Sequence, residues 1–244
     1  MKSMIIVPTY NEKAGIKKLI EELLDLDDDI QVLVVDDNSP DGTGKLVNEM
    51  AEKCDRIHII HRKNKLGLGS AYIEGFRYAL KTGVKYIFEM DGDLSHDPKY
   101  IPYFLDKIKE YDVIIGSRYI NGISVVDWPM SRLILSYSAN IFTRRVTGLK
   151  IKDSTSGFKC FRREVLESIN LARIKSNGYA FQIELNYACQ QNKYRIAEIP
   201  IIFHGRYSGT SKMNKAMALE AFFMVWKLFV FFNWDYGLPF SLDY

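Results

Sequence analysis

The sequence predicts an α/β domain with a mostly parallel central sheet and helices on both of its faces. Two observations carry this prediction. Short β-branched apolar runs alternate with longer segments of helical spacing, and those runs are almost continuously apolar, as in strands covered on both faces. A chain of 244 residues that is 47% hydrophobic and 26% charged is long enough for one such domain. The same composition excludes collagen-like, low-complexity and disordered chains.

The first half of the chain alternates five predicted strands with four predicted helices. The first helix shows the pattern clearly, because Ile16, Leu19, Ile20 and Leu23 form one apolar stripe with Lys and Glu opposite. Strands separated in this way by helices pair in parallel. The predicted strands are residues 4–7, 31–35, 57–60, 86–90 and 113–115, and the predicted helices are residues 14–26, 44–53, 68–81 and 98–109.

The pattern changes after Tyr119, where helices are predicted over residues 130–146, 163–169 and 181–191 and strands over 158–161 and 195–203. A loop with Gly, Ser and Lys follows, and then a last apolar segment. No repeat or low-complexity linker divides the chain. We therefore expect a single domain over residues 1–212, followed by a C-terminal apolar helix and tail over residues 213–244.

Polar clusters follow four of the predicted strands. Ligands of open α/β sheets bind beyond the carboxyl ends of the strands, so the chemistry is expected at this edge. The clusters are PTYNE from Pro8, DDNSPDG from Asp36, DGDLSH from Asp91 and GSRY from Gly116.

Asp91 and Asp93 are the strongest candidates for a metal site. Two carboxylates one residue apart can converge on Mg²⁺ or Mn²⁺, which usually shares its coordination with substrate phosphates. A bare Asp-Gly-Asp is more often only a turn, but here three other strand ends are also polar. His96 is expected to pack behind this loop rather than to act as a ligand.

Other strand-end residues could bind a nucleotide or an anion. Asp36 and Asp37 suit either ribose hydroxyls or helix capping, and the residues leave both roles open. Gly67 and Gly69 indicate a helix entry more than a phosphate loop. Arginine matches phosphate oxygens, and the basic residues singled out are Arg118, Arg132, Arg206 and Lys212.

The net charge of +3 is too small to indicate a nucleic-acid-binding protein, but it is unevenly distributed. Residues 144–215 carry 14 Lys or Arg and 5 Asp or Glu, a net of +9, which leaves −6 for the rest. This asymmetry suits an anionic ligand or surface, or a solvated basic face. Three cysteines without a CxxC pair argue against a disulfide framework and a zinc site. We expect a cytosolic protein without a signal peptide.

These motifs together resemble family 2 glycosyltransferases of the GT-A (Rossmann-like) fold, and among them dolichyl-phosphate mannose synthases. The resemblance covers residues 4–212, with the motifs in the order of that family. The matching segments are IIVPTYNE, VVDDNSPDGT, NKLGLGSAYIEGF, MDGDLSHDPKYIP, IGSRY, DWPMSR, STSGF, GYAFQIEL and GRYSGTSK.

The resemblance implies a role for each matching position. The donor nucleotide sugar would be held by Pro8, Tyr10, Glu12, Asp37, Asp91, Gly92, Asp93, Arg206 and Lys212. The acceptor phosphate would be bound by Arg118, Arg132 and Ser136, and the catalytic residues would be Asp91, Asp93 and Arg118. Mg²⁺ or Mn²⁺ would be bound by Asp91, Asp93 and Ser95, where Ser95 stands in place of the Gln of some relatives.

The implied reaction is an inverting transfer of mannose from GDP-mannose to dolichyl or another polyprenyl phosphate, which serves protein glycosylation. A UDP-glucose-dependent glucosyltransferase with the same fold stays open, because no residue separates guanine from uracil on physical grounds. A magnesium-binding receiver-like signalling domain is a distant alternative. It would carry an acidic pair after the first strand, where this chain has Pro8, Thr9 and Tyr10. The resemblance also leaves room for small membrane-anchoring subunits.

The C-terminal segment is expected to lie on a membrane surface. Of residues 216–232, 15 of 17 are apolar and six are Phe or Trp, and the two exceptions, Glu220 and Lys227, share one helix face. A spanning helix needs about 20 apolar residues with few charges. A core helix is the competing interpretation. We expect a peripheral protein on the cytoplasmic face of the endoplasmic reticulum or the cell membrane, since a polyprenyl acceptor stays in the bilayer.

Overall fold

The structure, a computed structural model, describes residues 2–205 and 222–228. Within residues 2–205, seven strands form one sheet and seven α-helices cover it. The strands are β1 (Ser3–Thr9), β2 (Ile30–Asp36), β3 (Ile57–His61), β4 (Tyr86–Glu89), β5 (Val113–Ser117), β6 (Lys159–Arg162) and β7 (Ile196–Pro200). The helices are α1 (Lys13–Leu24), α2 (Thr43–Ala51), α3 (Leu68–Ala79), α4 (Ile101–Lys107), α5 (Met130–Thr147), α6 (Arg163–Ser168) and α7 (Gly178–Gln191).

The sheet is mostly parallel, as predicted, with the strand order β3-β2-β1-β4-β6-β5-β7. Only β6 runs antiparallel, and it pairs with β4 on one side and β5 on the other. The loop before β6 therefore lies at the same edge of the sheet as the loops that follow β4 and β5. This arrangement brings residues 153–158 to the edge where the polar clusters meet.

The two faces of the sheet bury separate apolar clusters. One face packs against α3, α6 and α7, and the other packs against α1, α2 and α4. Almost every side chain of β1 and β2 is fully buried, which explains their continuous apolar runs. Helix α3 approaches β1 closely at Gly75, where an added Cβ would lie only 2.5 Å from Cγ2 of Ile6.

The helices and strands predicted within residues 2–205 are confirmed, with differences at their ends. The last predicted strand extended to residue 203, whereas β7 ends at Pro200. The helix predicted from residue 181 begins at Gly178, where the chain takes a positive φ of 53°. Apolar periodicity is weak in α7 because it is buried on nearly every side, so the pattern gave no clear starting point.

Residues 222–228 are helical and lie against α5. Val225 and Leu228 are buried in the same cluster as α3 and α7, while Phe222, Phe223 and Trp226 are exposed. This short stretch therefore has both a core-facing side and an exposed aromatic side. The other residues of the predicted C-terminal helix lie outside the described residues. Within residues 2–205 and 222–228, no helix combines the length and hydropathy that a membrane span needs.

Candidate active site

The polar clusters meet at one edge of the sheet. Strands β1, β2 and β4 are parallel, and β5 has the same direction as β4 because β6 is antiparallel to both. Their carboxyl ends therefore lie side by side, and the antiparallel β6 adds the loop that precedes it. The sequence prediction that the chemistry belongs at a single edge agrees with this geometry.

The acidic loop after β4 is tightly organised. Asp93 is 7% exposed, and its Oδ1 accepts hydrogen bonds from the Ser95 hydroxyl at 2.5 Å and the Ser95 amide at 3.1 Å. Asp91 is partly exposed, and the Tyr72 hydroxyl donates to its Oδ1 at 3.4 Å. Burial, together with the charge of Asp91, raises the pKa of Tyr72. The loop thus presents Asp91 to the site while Ser95 orients Asp93.

His96 packs behind this loop, as predicted. It is buried between Phe158 and Phe203, with ring centroids 5.0 and 5.2 Å away. Its Nδ1 accepts a hydrogen bond from the Asp91 amide at 3.3 Å. Burial lowers the pKa of His96 to about 4, so the ring is neutral at pH 7. A neutral ring that accepts from the backbone fixes the turn and has no role as a base.

The acidic loop fits a divalent cation of the kind predicted. The described residues contain no group of three or more His, Cys, Asp or Glu side chains arranged for a metal. Mg²⁺ and Mn²⁺ do not require one, because they are commonly held by one or two carboxylates and completed by substrate phosphates and water. Asp91 and Asp93 would supply those two carboxylates. The Ser95 hydroxyl, also predicted as a ligand, donates to Asp93 in this structure.

Both acidic residues at the end of β2 are held by protein groups. Asp36 accepts hydrogen bonds from Thr9 and Ser39, at 2.6–2.9 Å, and so closes the turn after β2. Asp37 is 6% exposed and pairs with Arg62, with Oδ1 2.6 Å from Nη1. Its Oδ2 accepts from the amides of Leu66 and Gly67 at 3.2 and 3.3 Å. Asp37 therefore ties the start of α3 to β2, and its predicted nucleotide contact stays a prediction.

The other residues of the first half that were predicted to bind the donor nucleotide sugar lie around the carboxyl ends of β1 and β2. Tyr10 is half-buried, and the ammonium group of Lys65 lies 4.0 Å from the centre of its ring. Glu12 is buried, and its amide donates to the Thr43 hydroxyl at 3.0 Å. Pro8 lies in β1, where its carbonyl oxygen would be 3.3 Å from a Cβ at Gly92. Gly92 thus allows the acidic loop to pack directly on β1.

Arg118, at the end of β5, is buried in a two-pronged ion pair with Asp153. Its Nε and Nη2 donate to the Asp153 carboxylate at 2.7 and 2.6 Å, and its backbone amide adds a third bond at 2.9 Å. Burial opposes the charged guanidinium, but the neighbouring carboxylate raises the pKa of Arg118 overall. Nη2 also donates to the Thr155 hydroxyl at 2.8 Å. The sequence prediction placed Arg118 at this edge and missed its partner.

Trp128 joins Arg118 to Arg132. The Arg132 guanidinium lies 3.9 Å from the centre of the indole ring, and that of Arg118 lies 5.5 Å from it. Unlike Arg118, Arg132 makes no ion pair with a residue that the structure describes. Within the described part of the chain, its Nε is buried without a hydrogen-bond partner, as is Nε1 of Trp128. Two buried donors without acceptors are costly unless a ligand completes them.

An apolar cavity of about 300 Å³ opens beside Arg132, between α5, α7 and residues 222–228. Arg132, Ser136, Thr155 and Tyr179 form its polar part, and the hydroxyl of Tyr119 donates to Ser136 at 2.8 Å. The apolar lining of the cavity comes from Leu135, Ala139, Phe142, Ile183, Phe222 and Val225. Two of the three predicted acceptor residues thus line one cavity, and Arg118 reaches it through Thr155.

Two predicted donor residues, Arg206 and Lys212, lie outside the described residues. Several residues of the site carried no prediction of their own. Gln182 and Trp128 stand in the segments GYAFQIEL and DWPMSR, so the motif positions offered a signal without a role. Asp153 lies one residue before the segment STSGF and was not part of any matching segment. Tyr72 stands in the segment NKLGLGSAYIEGF and had the same kind of signal as Gln182, whereas Arg62 gave none, because only a tertiary contact brings it to Asp37.

Comparisons with known proteins show what this chain is similar to. The family model described as glycosyl transferase family 2 matches residues 4–169. The polyprenol monophosphomannose synthase of Mycolicibacterium smegmatis is 42% identical over 226 residues, which is 92% of this chain and 85% of that protein. The undecaprenyl-phosphate mannosyltransferase of Micrococcus luteus is 39% identical over 221 residues, with 91% of each chain covered.

A solved structure shares the fold. The glucosyl-3-phosphoglycerate synthase of Mycobacterium tuberculosis, in complex with Mn²⁺, uridine diphosphate and phosphoglyceric acid, superposes with a TM-score of 0.70. The alignment covers 98% of this chain and 80% of that one at 17% identity. The α/β architecture with a mostly parallel sheet is therefore that of the GT-A fold, as predicted from the sequence.

Proposed function

The chain belongs to glycosyl transferase family 2, and from that premise we propose that it transfers mannose from GDP-mannose to the phosphate of a polyprenol. The names of the two relatives given above describe the transfer of mannose to a polyprenyl phosphate, which supports this acceptor and this sugar. The observation that carries the proposal most directly is the apolar cavity beside Arg132. A soluble sugar acceptor would have no use for such a cavity at the edge of the active site.

The cavity suits a lipid phosphate. Its polar part offers the guanidinium of Arg132 and the hydroxyl of Ser136, and its apolar lining continues along α5 to Phe142. Phe142 lies ten positions after Arg132 on α5, which corresponds to about 15 Å of helix. An anionic head would be held at Arg132 while the first prenyl units lie against Leu135 and Phe142. Arg118 adds little net charge here, since Asp153 neutralises it.

The acidic loop would hold the donor. Asp91 and Asp93 would bind Mg²⁺ or Mn²⁺ together with the diphosphate of the nucleotide sugar. When bound, such a cation supplies positive charge that stabilises the leaving diphosphate. Tyr10, Glu12 and the turn held by Asp37 border the space where the nucleoside would lie. These donor assignments are supported by the position of the loops at one edge of the sheet.

No strong general base is needed for this reaction. A polyprenyl phosphate is already an anion at pH 7, so its oxygen can attack the anomeric carbon without losing a proton. His96 is neutral, and its Nδ1 accepts from the backbone, so it takes no proton from the acceptor. Arg132 would act mainly by holding the phosphate in position, which makes the attack effectively intramolecular. Direct attack on the face of the sugar opposite the leaving diphosphate inverts the configuration at the anomeric carbon.

A donor screen tests the proposed reaction. Purified protein is mixed with a polyprenyl phosphate, MnCl₂ and radiolabelled GDP-mannose or UDP-glucose, and the lipid extract is counted. We expect label in the lipid fraction from GDP-mannose and inversion to the β-linked product. Label from UDP-glucose alone would assign the glucosyltransferase instead. If neither donor labels the lipid, the mannosyltransferase and the glucosyltransferase assignments are both rejected.

The proposed role of Arg132 predicts that its loss impairs the use of the lipid acceptor but not the binding of the nucleotide-sugar donor. Arg132→Ala removes a charged hydrogen-bond donor, so kcat/KM for the lipid phosphate should fall by about tenfold or more. The Kd for the nucleotide sugar should be unchanged, as measured by calorimetry. Arg77→Ala is the matched control, since Arg77 is an exposed arginine in the last turn of α3 and does not line the cavity. Equal losses in the two variants would contradict the assignment.

Membrane contact is supported by the exposed apolar side chains around the cavity. We call this set the apolar surface. It consists of Met130, Ile134, Leu135, Tyr137, Phe222, Phe223 and Trp226. Residues 128–152 contain five Lys or Arg and no Asp or Glu, so anionic lipid headgroups would be attracted to the same side. A polyprenyl chain entering the cavity would then remain in the bilayer while its phosphate reaches Arg132.

Vesicle binding tests the apolar surface. In the double variant Met130→Asp/Ile134→Asp, two exposed apolar side chains are replaced by charges, so partition into vesicles of anionic lipid should fall about tenfold or more. Tyr103→Asp is the control, because Tyr103 is equally exposed but lies on α4, on the other face of the sheet. Co-sedimentation with the vesicles measures the binding of the double variant and of the control. Undiminished binding of the double variant would show that membrane contact lies elsewhere.

A further inference from the structure

Helix α5 carries two of the proposed acceptor residues, but its buried face is polar. Its three buried side chains are Asn140, Thr143 and Thr147. Phe142 and Val146 pack against the apolar cluster of α3 and α7, and both are only partly buried. A helix of this kind is normally held in place by a buried apolar stripe. Polar contacts must therefore contribute to fixing where α5 lies.

The strongest of these contacts come from Asn140, which is 2% exposed. Its Oδ1 accepts hydrogen bonds from the amide and the hydroxyl of Ser154, both at 2.7 Å. Its Nδ2 donates to the carbonyl oxygen of Ser136 at 2.9 Å and to the Thr155 hydroxyl at 3.4 Å. A side-chain amide has two acceptor sites and two donor hydrogens, so Asn140 uses its complete capacity. The four bonds define a single orientation of this side chain.

The loop that Asn140 contacts, residues 152–156, is attached to the rest of the fold from its other side. The Ser156 hydroxyl donates to a carbonyl oxygen of β5 at 2.6 Å. Glu198 of β7 accepts from two successive amides of the loop, at 2.7 and 2.9 Å. Asn186 of α7 donates to the Ser154 carbonyl oxygen at 3.0 Å. The position of this loop is therefore set by β5, β7 and α7, and Asn140 attaches α5 to it.

Thr155 connects this attachment to the end of β5. Its hydroxyl accepts from Nη2 of Arg118 at 2.8 Å as well as from Asn140. Arg132 and Ser136 lie eight and four residues before Asn140, so the three side chains follow one another along one side of α5. How α5 sits against the loop thus sets the distance between the polar part of the cavity and the carboxyl ends of the strands.

We propose that Asn140 is a positioning residue for the acceptor, which fixes α5 so that Arg132 and Ser136 hold the lipid phosphate in line with the donor sugar. Asn140 itself does not line the cavity. An apolar side chain could pack against the loop in more than one register, whereas a fully satisfied polar network specifies one arrangement. This inference rests on the proposed function, because it takes the ligand of Arg132 to be the phosphate of the acceptor.

Asn140→Ala is the first test, because it removes all four hydrogen bonds and leaves Arg132 and Ser136 in place. The KM for the polyprenyl phosphate should change less than about threefold, since the groups that bind the phosphate remain. The kcat should fall about tenfold or more, because a misplacement of about 1 Å is enough to misalign the attack. Calorimetry with GDP-mannose and MnCl₂ should give the wild-type Kd and the wild-type number of binding sites per chain. An unchanged number of sites excludes loss of folded protein as the cause.

Asn186→Ala is the matched control. Asn186 is a fully buried asparagine that contacts the same residue of the loop, but from α7. Both substitutions remove a buried amide, so both should lower the melting temperature, but Asn186→Ala should lower kcat by less than about threefold. Equal losses of kcat would show that the loop itself governs the reaction, which would overturn the inference. A wild-type kcat in Asn140→Ala would overturn it as well.

A double variant separates positioning from a merely structural role. If Asn140 acts through Arg132, adding Asn140→Ala to Arg132→Ala should lower kcat/KM by less than about threefold more, whereas independent losses would multiply and contradict the inference. Should Asn140→Ala not fold, Ser154→Ala decides, since it removes one of the four bonds. Its kcat should fall about threefold with an unchanged Kd for GDP-mannose, and an unchanged kcat would overturn the inference. Failure of the proposed function is distinct, because the wild type itself would then label no lipid.

Discussion

Asp93→Asn should reduce mannosyl transfer by roughly 100-fold or more, because loss of a direct ligand exceeds the 10–100-fold cost of losing an outer-shell contact. Asparagine keeps an oxygen that can accept from the amide and hydroxyl of Ser95, so the loop should keep its conformation. The change removes the negative charge that a divalent cation requires. Turnover with saturating donor and acceptor, measured over a MnCl₂ titration, gives the effect.

Asp97→Asn is the control for that result. Asp97 lies on the same loop, four residues further, where its side chain accepts from the Lys99 amide at the start of a short 3₁₀ turn. Asparagine caps such a turn as well as aspartate does, so activity should stay within about twofold. Thermal melting of both variants checks that the fold is unchanged. If the wild type keeps full activity in excess EDTA, the assignment of Asp91 and Asp93 as metal ligands is wrong.

Asp153→Asn should lower the free energy of unfolding by about 3–5 kcal/mol, because it leaves the Arg118 guanidinium buried without its counter-charge. The pair is almost completely excluded from water, with side-chain exposures of 5% for Arg118 and 0% for Asp153. Urea unfolding followed by circular dichroism measures the change. Activity should fall as well, since Arg118 also holds Thr155 at the polar part of the cavity.

Glu167→Gln provides the comparison, because it removes the charge from an exposed i,i+4 pair with Arg163 on α6. Such pairs contribute about 0.3–0.5 kcal/mol. A double variant, Arg118→Met/Asp153→Leu, should recover much of the lost stability, since no charge is left buried, but not the lipid-dependent activity. If Asp153→Asn were no more destabilising than Glu167→Gln, the ion pair would not support the fold.

The sequence predicted the fold well because its signal is local. A β-branched run such as that of β1 and an apolar stripe such as that of α1 each reveal an element from fewer than fifteen neighbouring residues. The prediction was less accurate for α7, which is buried on nearly all sides and therefore shows no stripe. The position of the chemistry followed from the same information, because polar residues after parallel strands must share one edge of the sheet.

The contacts between side chains of the site did not follow from the local sequence pattern. Arg118 and Asp153 are 35 residues apart, and they meet only because β6 is antiparallel and brings its preceding loop back to the edge. The nucleotide contact of Asp37 stays a prediction, and the sequence did not indicate that Arg62 and the start of α3 hold its carboxylate. The cavity beside Arg132 likewise arises from three elements that are distant along the chain.

The sequence by itself therefore determined the α/β class, the order of the elements and the edge that carries the polar residues, since each depends on periodicity or on the direction of neighbouring strands. Only the tertiary structure decided which charges are neutralised, which donors are left without acceptors and where space remains. Arg132 shows the reason. The cavity beside it exists only because α5, α7 and residues 222–228 meet there, and that convergence depends on packing rather than on any local pattern.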